Sequence, residues 1–323
     1  MKKIIKFPPK INLANTPTPL QEIKFENKKF LIKRDDMTGV ELSGNKVRKL
    51  EFLLKNALWE KAETVFTCGG DQSNHARATA IAASVVGLKS KLFLWGGDSS
   101  AADGNLFLDK FIGAEISFLN KKNYSEVNEI MYEEREAMQQ LGKRVYVIPE
   151  GGSTTLGVLG YVSFVGELSK QINLKNINGI CMAAGTGGTA AGILAGAAML
   201  KLNINVYAVN VLYSKEEIEN KIINLAEGTV LDFKLKAKIN RDNLIVLDGY
   251  SAEGYKNISD KKLKMIKEFG KSTGIVLDPA YTGKAFSAYY EKFLSKGLGK
   301  KVIFLHTGGL FGVFGKRKKY LSA

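Results

Sequence analysis

Three short stretches of the 323-residue chain set glycines beside groups that can bind or react. The first is Ser43-Gly44-Asn45-Lys46-Val47-Arg48-Lys49-Leu50-Glu51. Gly44 marks a turn, and Leu50, Leu53, Leu54, Ala57 and Leu58 then recur at helical spacing. Lys46 therefore falls where loop becomes helix. The helix N-terminus and the neighbouring cations Arg48 and Lys49 are expected to lower its pKa, as an amine that reacts with a carbonyl requires. Taken alone, the stretch reads equally as solvated lysines on a basic helix start.

The second stretch is Gly69-Gly70-Asp71-Gln72-Ser73-Asn74-His75, after an apolar run at 64–68 and at the start of a helical stretch at 73–86. The glycines let the backbone approach a ligand. Free amides at the helix start, with the Ser73 hydroxyl and the Asn74 amide, form an anion site suited to a carboxylate. Ser73 is also a candidate N-cap. The third stretch is Gly185-Thr186-Gly187-Gly188-Thr189, between a strand-like run at 178–184 and a helix, which is physically a phosphate cradle. It lacks the GK[ST] ending of a P-loop. It fits the dinucleotide variant through Ala190, but the next strand ends in Val209-Asn210-Val211 without the acidic residue that would hold a ribose. A single phosphate monoester fits better.

The elements that must position these stretches alternate. Strands are expected at 64–68, 90–95, 115–119, 145–148, 178–184, 204–210, 244–248 and 301–306. Helices are expected at 73–86, 104–112, 124–141, 155–172, 187–201, 214–225, 259–272 and 283–296. A further strand-like stretch at Gly274–Leu277 would precede Tyr281. This order argues for α/β layers with parallel sheets, and the length for two domains.

The net charge of +15 comes mostly from lysine spread along the chain; seven arginines and no nucleic-acid-reading motif argue against a nucleic-acid partner. The run Lys316-Arg317-Lys318-Lys319 reads as an exposed tail. No run of about 20 apolar residues is present, so no membrane partner is expected. The basic N-terminus lacks the apolar segment and cleavage site of a leader. Cys68 and Cys181 sit in apolar runs and read as buried strand thiols of a cytoplasmic protein. Two histidines and no CxxC or HExxH spacing give no expectation of a metal.

Together the ordered motifs resemble the tryptophan-synthase-β-like, fold type II pyridoxal-phosphate (PLP) enzymes, and within them the D-cysteine desulfhydrase and 1-aminocyclopropane-1-carboxylate deaminase family. The resemblance runs through RDDMTG (34–39), GNKVRKLE (44–51), GGDQSNHAR (69–77), IPEGGSTTLGVLGYV (148–162), AAGTGGTAAG (183–192), DPAYTGKA (278–285) and HTGG (306–309). It implies two open-twisted α/β domains with PLP in the cleft between them: a large PLP-binding domain of 1–48 and 161–323, and a small domain of 49–160. It implies that Lys46 forms the internal aldimine, that Asn74 contacts the cofactor's phenolic oxygen, and that Lys49 and Gly185, Thr186, Gly187, Gly188 and Thr189 hold the phosphate. Ser73 and its neighbours Asn74 and His75 would hold the substrate carboxylate, and Tyr255 and Tyr281 match the family's two active-site tyrosines.

Where the deaminases of that family carry a glutamate after the DP-x-Tyr tyrosine and a leucine in the C-terminal motif, this chain has Thr282 and Thr307. The pair matches the desulfhydrases. A carboxylate beside the pyridine nitrogen keeps the ring protonated and strongly electron-withdrawing, which an unactivated cyclopropane needs and a sulfide leaving group does not. Thr307 is thus expected at the cofactor and Thr282 near the substrate. Asp71, where the resemblance expects an aliphatic residue, and Ser251-Ala252-Glu253-Gly254, which lacks an expected proline, depart from the pattern. The expected reaction is α,β-elimination from D-cysteine to pyruvate, ammonia and hydrogen sulfide, in a homodimer. Lys46 or the Tyr281 hydroxyl would take the Cα proton. The alternatives are 1-aminocyclopropane-1-carboxylate deamination to 2-oxobutanoate, another small β-substituted amino acid as substrate, and a PLP-carrying protein without turnover.

Overall fold

The computed structural model describes residues 7–98, 102–255 and 257–322. In chain order the elements are β1 (Leu20–Phe25), β2 (Lys28–Arg34), α1 (Lys46–Trp59), β3 (Thr64–Gly70), α2 (Asn74–Val85), β4 (Lys89–Trp95) and α3 (Gly104–Phe111). They continue with β5 (Glu115–Leu119), α4 (Lys121–Tyr124), α5 (Val127–Gln140), β6 (Val145–Ile148), α6 (Thr155–Gln171), β7 (Gly179–Ala184) and α7 (Gly188–Met199). The last are β8 (Asn205–Asn210), α8 (Lys215–Asp232), β9 (Leu244–Leu247), α9 (Asp260–Thr273), α10 (Thr282–Lys292), β10 (Val302–His306), α11 (Leu310–Phe314) and α12 (Arg317–Ser322).

Two sheets result. The smaller has the order β5-β4-β3-β6 and is wholly parallel; the larger has the order β1-β2-β10-β7-β8-β9 and is parallel except for the β1–β2 hairpin. The central strands β3, β7 and β10 are buried along nearly their whole length, as helices on both faces require. Cys68 on β3 and Cys181 on β7 are buried free thiols, as expected.

Three helices stack to set the spacing of the site. α7 is built of small residues and buried along its first ten positions. A Cβ on its Gly192 would lie 2.4 Å from the Tyr161 Cβ, and one on Gly196 2.7 Å from Val165. The two glycines therefore let α7 press onto α6. Gly160 does the same for α6 against α1, where a Cβ would fall 2.3 Å from the Arg48 carbonyl oxygen. Adding a methyl at any of the three would push backbones apart in a close-packed interior.

Four features differ from the sequence expectation. The hairpin β1–β2 was not expected. Its turn is Glu26-Asn27, with φ of 45° and 62°, a geometry that hairpins favour but that is usually announced by glycine. The Gly274–Leu277 stretch is not a strand: side chains hold it instead of a ladder, through His306 Nε2 to the Val276 oxygen (3.1 Å) and Tyr320 Oη to the Leu277 oxygen (3.0 Å). The basic C-terminal run is exposed at Arg317 and Lys318 but is folded into α12, with Arg317 on Asp103 (2.9 Å) and Lys319 donating to the Ile258 oxygen (2.6 Å). Finally, the expected domain boundaries at 48/49 and 160/161 fall inside α1 and α6, not in loops.

Candidate active site

The ends of β3, β7 and β10 and the starts of α1, α2 and α7 converge on one cavity of about 710 Å³, its mouth included. Crevices beyond the carboxyl ends of parallel strands are where such sheets bind ligands. The cavity is lined by Lys46, Lys49, Ser73, Asn74, His75, the loop Gly185–Thr189, Tyr255, Tyr281 and Thr307. Three stretches far apart in the chain are thus brought together. Thr282 is the exception. It is buried and off the cavity wall, and its hydroxyl donates to Asp278 Oδ1 (2.6 Å) while accepting from the Asp278 amide (2.9 Å). Through these bonds Thr282 stiffens the turn that presents Tyr281.

Lys46 opens α1 and faces the cavity, partly exposed. Its pKa is lowered from 10.5 to about 8. The cause is burial, opposed by the charge of Glu150, and not the neighbouring cations. Arg48 points the other way, into Asp35 (2.8 Å) and Glu167 (2.8 Å). Desolvation disfavours the ammonium form. The result is the one expected, a nucleophilic amine near neutral pH, reached by a different physical route.

Lys49 lies one turn further along, 1% exposed, and its Nζ donates to the Gly151 carbonyl (3.1 Å) and Ser153 Oγ (3.1 Å). Among the described residues it has no carboxylate partner, and burial, then the charge of Lys46, hold its pKa well below the ordinary value. A buried cation in that state favours an anion. The anion cradle lies beside it. α7 begins at Gly187, which is left-handed (φ 84°) and supplies no side-chain cap, so the first amides of the helix stay open. A Cβ on Gly188 would stand 2.6 Å from Lys49 Nζ. Ser153 Oγ meets Thr186 Oγ1 at 2.7 Å, and Asn45 Nδ2 donates to Thr189 Oγ1 at 3.0 Å. A bare glycine helix start, hydroxyls and a buried lysine are the donor set a phosphate monoester needs, and Lys46 stands in the same cavity. The residues present fit pyridoxal phosphate.

At the start of α2, Ser73 is the N-cap, accepting from the Ala76 amide at 3.2 Å. The glycines before it serve the protein's own packing: a Cβ on Gly69 would strike Ser73 Oγ at 2.4 Å, and one on Gly70 would press on the Trp95 ring at 3.2 Å. Asn74 Oδ1 accepts from Asn105 Nδ2 (3.1 Å), which leaves its amide group to donate. Thr67 Oγ1 donates to the Ile148 carbonyl (2.7 Å), so it accepts from His75 Nε2 (2.9 Å). The Pro149 backbone lies on the other side of the ring. Burial first, then Lys46 and Lys49, hold this imidazole neutral.

Tyr281 and Tyr255 meet at 2.8 Å between their hydroxyls, with Tyr281 donating. Burial pushes the Tyr281 pKa well up, and Tyr255 adds to it. A phenol that resists ionisation donates hydrogen bonds and does not take protons. The alternative of Tyr281 as the base is thereby disfavoured against Lys46. Tyr281 is held by Asp278, whose carboxylate accepts from the amides of Ala280 (3.0 Å), Tyr281 (2.9 Å) and Thr282 (2.8 Å). Thr307 reaches the wall after β10, its carbonyl taking the Asn45 amide at 3.0 Å.

Sequence reasoning missed Asp278, Ser153, Asn45 and Glu150. Asp278-Pro279 was a readable turn signal. Glu150 had none. It lies in the turn after β6, lines the cavity, and accepts from Tyr124 Oη at 3.0 Å. Burial raises its pKa, against Tyr124 and the charge of Lys46.

Comparison with known proteins agrees with this geometry. Residues 11–308 match the family described as pyridoxal-phosphate dependent enzymes. A Thermotoga maritima protein provisionally named 1-aminocyclopropane-1-carboxylate deaminase is 41% identical over 96% of this chain and 99% of its own. An Arabidopsis thaliana mitochondrial protein named bifunctional D-cysteine desulfhydrase/1-aminocyclopropane-1-carboxylate deaminase is 35% identical over 94% of this chain and 79% of its own. A crystal structure of a homologue of that deaminase superposes with a TM-score of 0.89 at 37% identity, covering 98% of this chain and 96% of the other.

Proposed function

The chain belongs to the pyridoxal-phosphate dependent enzymes, and from that premise we propose that it is a lyase removing a β-substituent from a small amino acid, with D-cysteine as substrate and pyruvate, ammonia and hydrogen sulfide as products. Pyridoxal phosphate, when bound, supplies an aldehyde that joins amines and a ring that withdraws electrons from Cα. The residues of this chain supply the rest. Lys49 and the open amides of α7 hold the phosphate. Lys46 would be the residue that holds the aldehyde end, and its amine would take the proton from Cα, for which a pKa of about 8 suits it. Ser73 and the first amides of α2 hold the substrate carboxylate, and Asn74 donates toward the cofactor ring. Tyr281, neutral, donates its hydrogen bond to Tyr255 and orients it, which leaves the Tyr255 hydroxyl to donate into the cavity. We also keep the division at α1 and α6 into a small unit around β3–β6 and a large one around the other sheet.

The observation that carries this reading is the Lys46 amine, its pKa lowered by burial, in one cavity with the Tyr281–Tyr255 hydroxyl pair at 2.8 Å. Thr307 on the wall, in the position where the deaminases resembling this chain carry leucine, supports the desulfhydrase side. The second reading, opening of 1-aminocyclopropane-1-carboxylate to 2-oxobutanoate and ammonia, is supported by the names of the relatives. Purified holoenzyme is given D-cysteine, L-cysteine and the cyclopropane amino acid, and kcat/KM is measured for each from sulfide, pyruvate and 2-oxobutanoate. Preference for D-cysteine is expected. Efficient 2-oxobutanoate release without sulfide would replace the first reading by the second. Borohydride reduction and peptide mapping should place the cofactor on Lys46, and a label on Lys33 or Lys49 would overturn its role.

A further inference from the structure

The cavity has one wall that the proposed elimination of sulfide does not use. Ser73 and the start of α2 face an anion, and so does the cradle at α7. The turn after β6 faces the same space with a carboxylate, Glu150. Tyr124 holds one of its oxygens at 3.0 Å, and its charge and that of Lys46 act on each other. Tyr213 also hydrogen-bonds Glu150, and the charge of Lys221 reaches it from α8, with the Lys221 ammonium over the Tyr213 ring, 4.9 Å from the centroid. Behind the Tyr255 ring, which lines the cavity, further rings stack: Tyr255 packs against Trp95 at 6.1 Å, and Trp95 against Tyr124 at 6.3 Å. The charge of Asp71 reaches Tyr255 from the other side. Carboxylates set among electron-rich rings recognise a cation.

We infer that this site also eliminates ammonia from C3 of 2,3-diaminopropionate, with Glu150 as the residue that selects a β-ammonium group. The inference rests on the elimination proposed above. Sulfide leaves as a stable anion and gains nothing from a carboxylate beside it. An amine leaves only when protonated, and a facing carboxylate keeps it so. In the reaction the Cα proton passes to Lys46, the C3–N bond breaks with its electron pair remaining on nitrogen, and neutral ammonia departs. The 2-aminoacrylate left behind takes up one water and gives pyruvate and a second ammonia.

The test uses holoenzyme and its Glu150→Gln and Tyr124→Phe variants. Pyruvate formation is measured with each enantiomer of 2,3-diaminopropionate and with D-cysteine. The ratio of kcat/KM for the diamino acid over D-cysteine should fall at least about 30-fold in Glu150→Gln, the size of effect expected when one partner of a close charge pair is removed. Tyr124→Phe, which keeps the carboxylate and loses its hydrogen bond, should fall less. Binding is read independently from the shift of the visible cofactor band. Wild type should half-saturate at a lower concentration of 2,3-diaminopropionate than of alanine of the same configuration, and Glu150→Gln should lose that preference. If Glu150→Gln does not fold, the wild-type preference and its reduction in Tyr124→Phe decide the matter. Elimination from D-cysteine with no turnover of the diamino acid, or an unchanged ratio in the variant, overturns the role of Glu150 and leaves the lyase standing. Absence of turnover with every β-substituted amino acid overturns the lyase reading itself.

Discussion

The first turn of α1 sends charged side chains in two directions, and the two environments treat them oppositely. Toward the cavity go Lys46 and Lys49, which among the described residues have no carboxylate in ion-pair contact. Away from it goes Arg48, which meets Asp35 and Glu167. Asp35 takes further hydrogen bonds from Thr18 (2.7 Å) and Tyr161 (2.6 Å), and Glu167 pairs with Lys33 (2.6 Å). Burial alone would raise the Asp35 pKa, but Arg48 overcomes it and holds the carboxyl below its ordinary value. Burial at Lys46 and Lys49 wins, and their ammonium forms are disfavoured. The same cost of desolvation is thus offset by ion pairs on one face and left unopposed by any on the other. A compensated charge belongs to the scaffold; an uncompensated one awaits a ligand.

The largest effect is expected on the bare face. Lys46→Ala should lower turnover by about 10³-fold or more, because it removes both the cofactor's anchor and the base. Thermal unfolding of the cofactor-free protein should show no loss of stability, since a desolvated amine is removed. A destabilised apoprotein would break the comparison. On the compensated face the loss should be in folding: Arg48→Met strands the buried Asp35 and leaves Glu167 with Lys33 alone, and should cost about 3–5 kcal/mol in urea denaturation. A near-neutral result would mean that the network is not cooperative.

Smaller is the effect of Tyr281→Phe. Its ring stays packed and its hydroxyl is lost, so the cofactor's absorbance should survive while kcat falls about 100-fold, within the range of acid–base groups. Unchanged kcat would return Tyr281 to packing. The smallest effect is a pH dependence. The Lys46 pKa lies below its unfolded value, so between about pH 8 and 10.5 the unfolded chain holds a proton that the folded one has shed. The Lys46 contribution to apoprotein stability should therefore rise with pH across that window, and the rate of cofactor attachment should rise through about pH 8. Asp35, also held below its ordinary value, has the same sense in a lower window: its stabilisation is present at neutral pH and is lost only in acid. Attachment that keeps rising toward pH 10.5 would show Lys46 to be solvated after all.

Much of the layer architecture was readable because buried parallel strands are apolar runs and their helices keep a 3.6-residue period. The expected strand at 115–119 matches β5, and that at 145–148 matches β6, residue for residue. The hairpin β1–β2 escaped because its strands carry lysines, and the buried Lys33 is satisfied by Glu167 and Gln171, 134 and 138 positions away, and by the Thr18 carbonyl. α8 runs to Asp232, past the expected end at 225, because Ala226 and Thr229 face the interior. In the site, the glycine stretches were visible. Their reasons were only partly so: Gly69 and Gly70 make room for Ser73 and Trp95.

By itself the sequence determined the alternation of strands and helices, the three glycine-bearing stretches at helix starts, and the buried state of Cys68 and Cys181. These follow from local steric rules and from the periodicity of apolar residues, which need no knowledge of distant chain. Tertiary structure alone decided which charges find partners. It turned Arg48 from a supposed neighbour of Lys46 into a scaffold cation, took Thr282 off the cavity wall by way of Asp278, and brought Glu150 onto it. Burial and charge at one point are sums over groups separated by a hundred residues or more, as between Arg48 and Glu167 or Lys49 and Ser153. Such sums exist only once the chain has closed on itself.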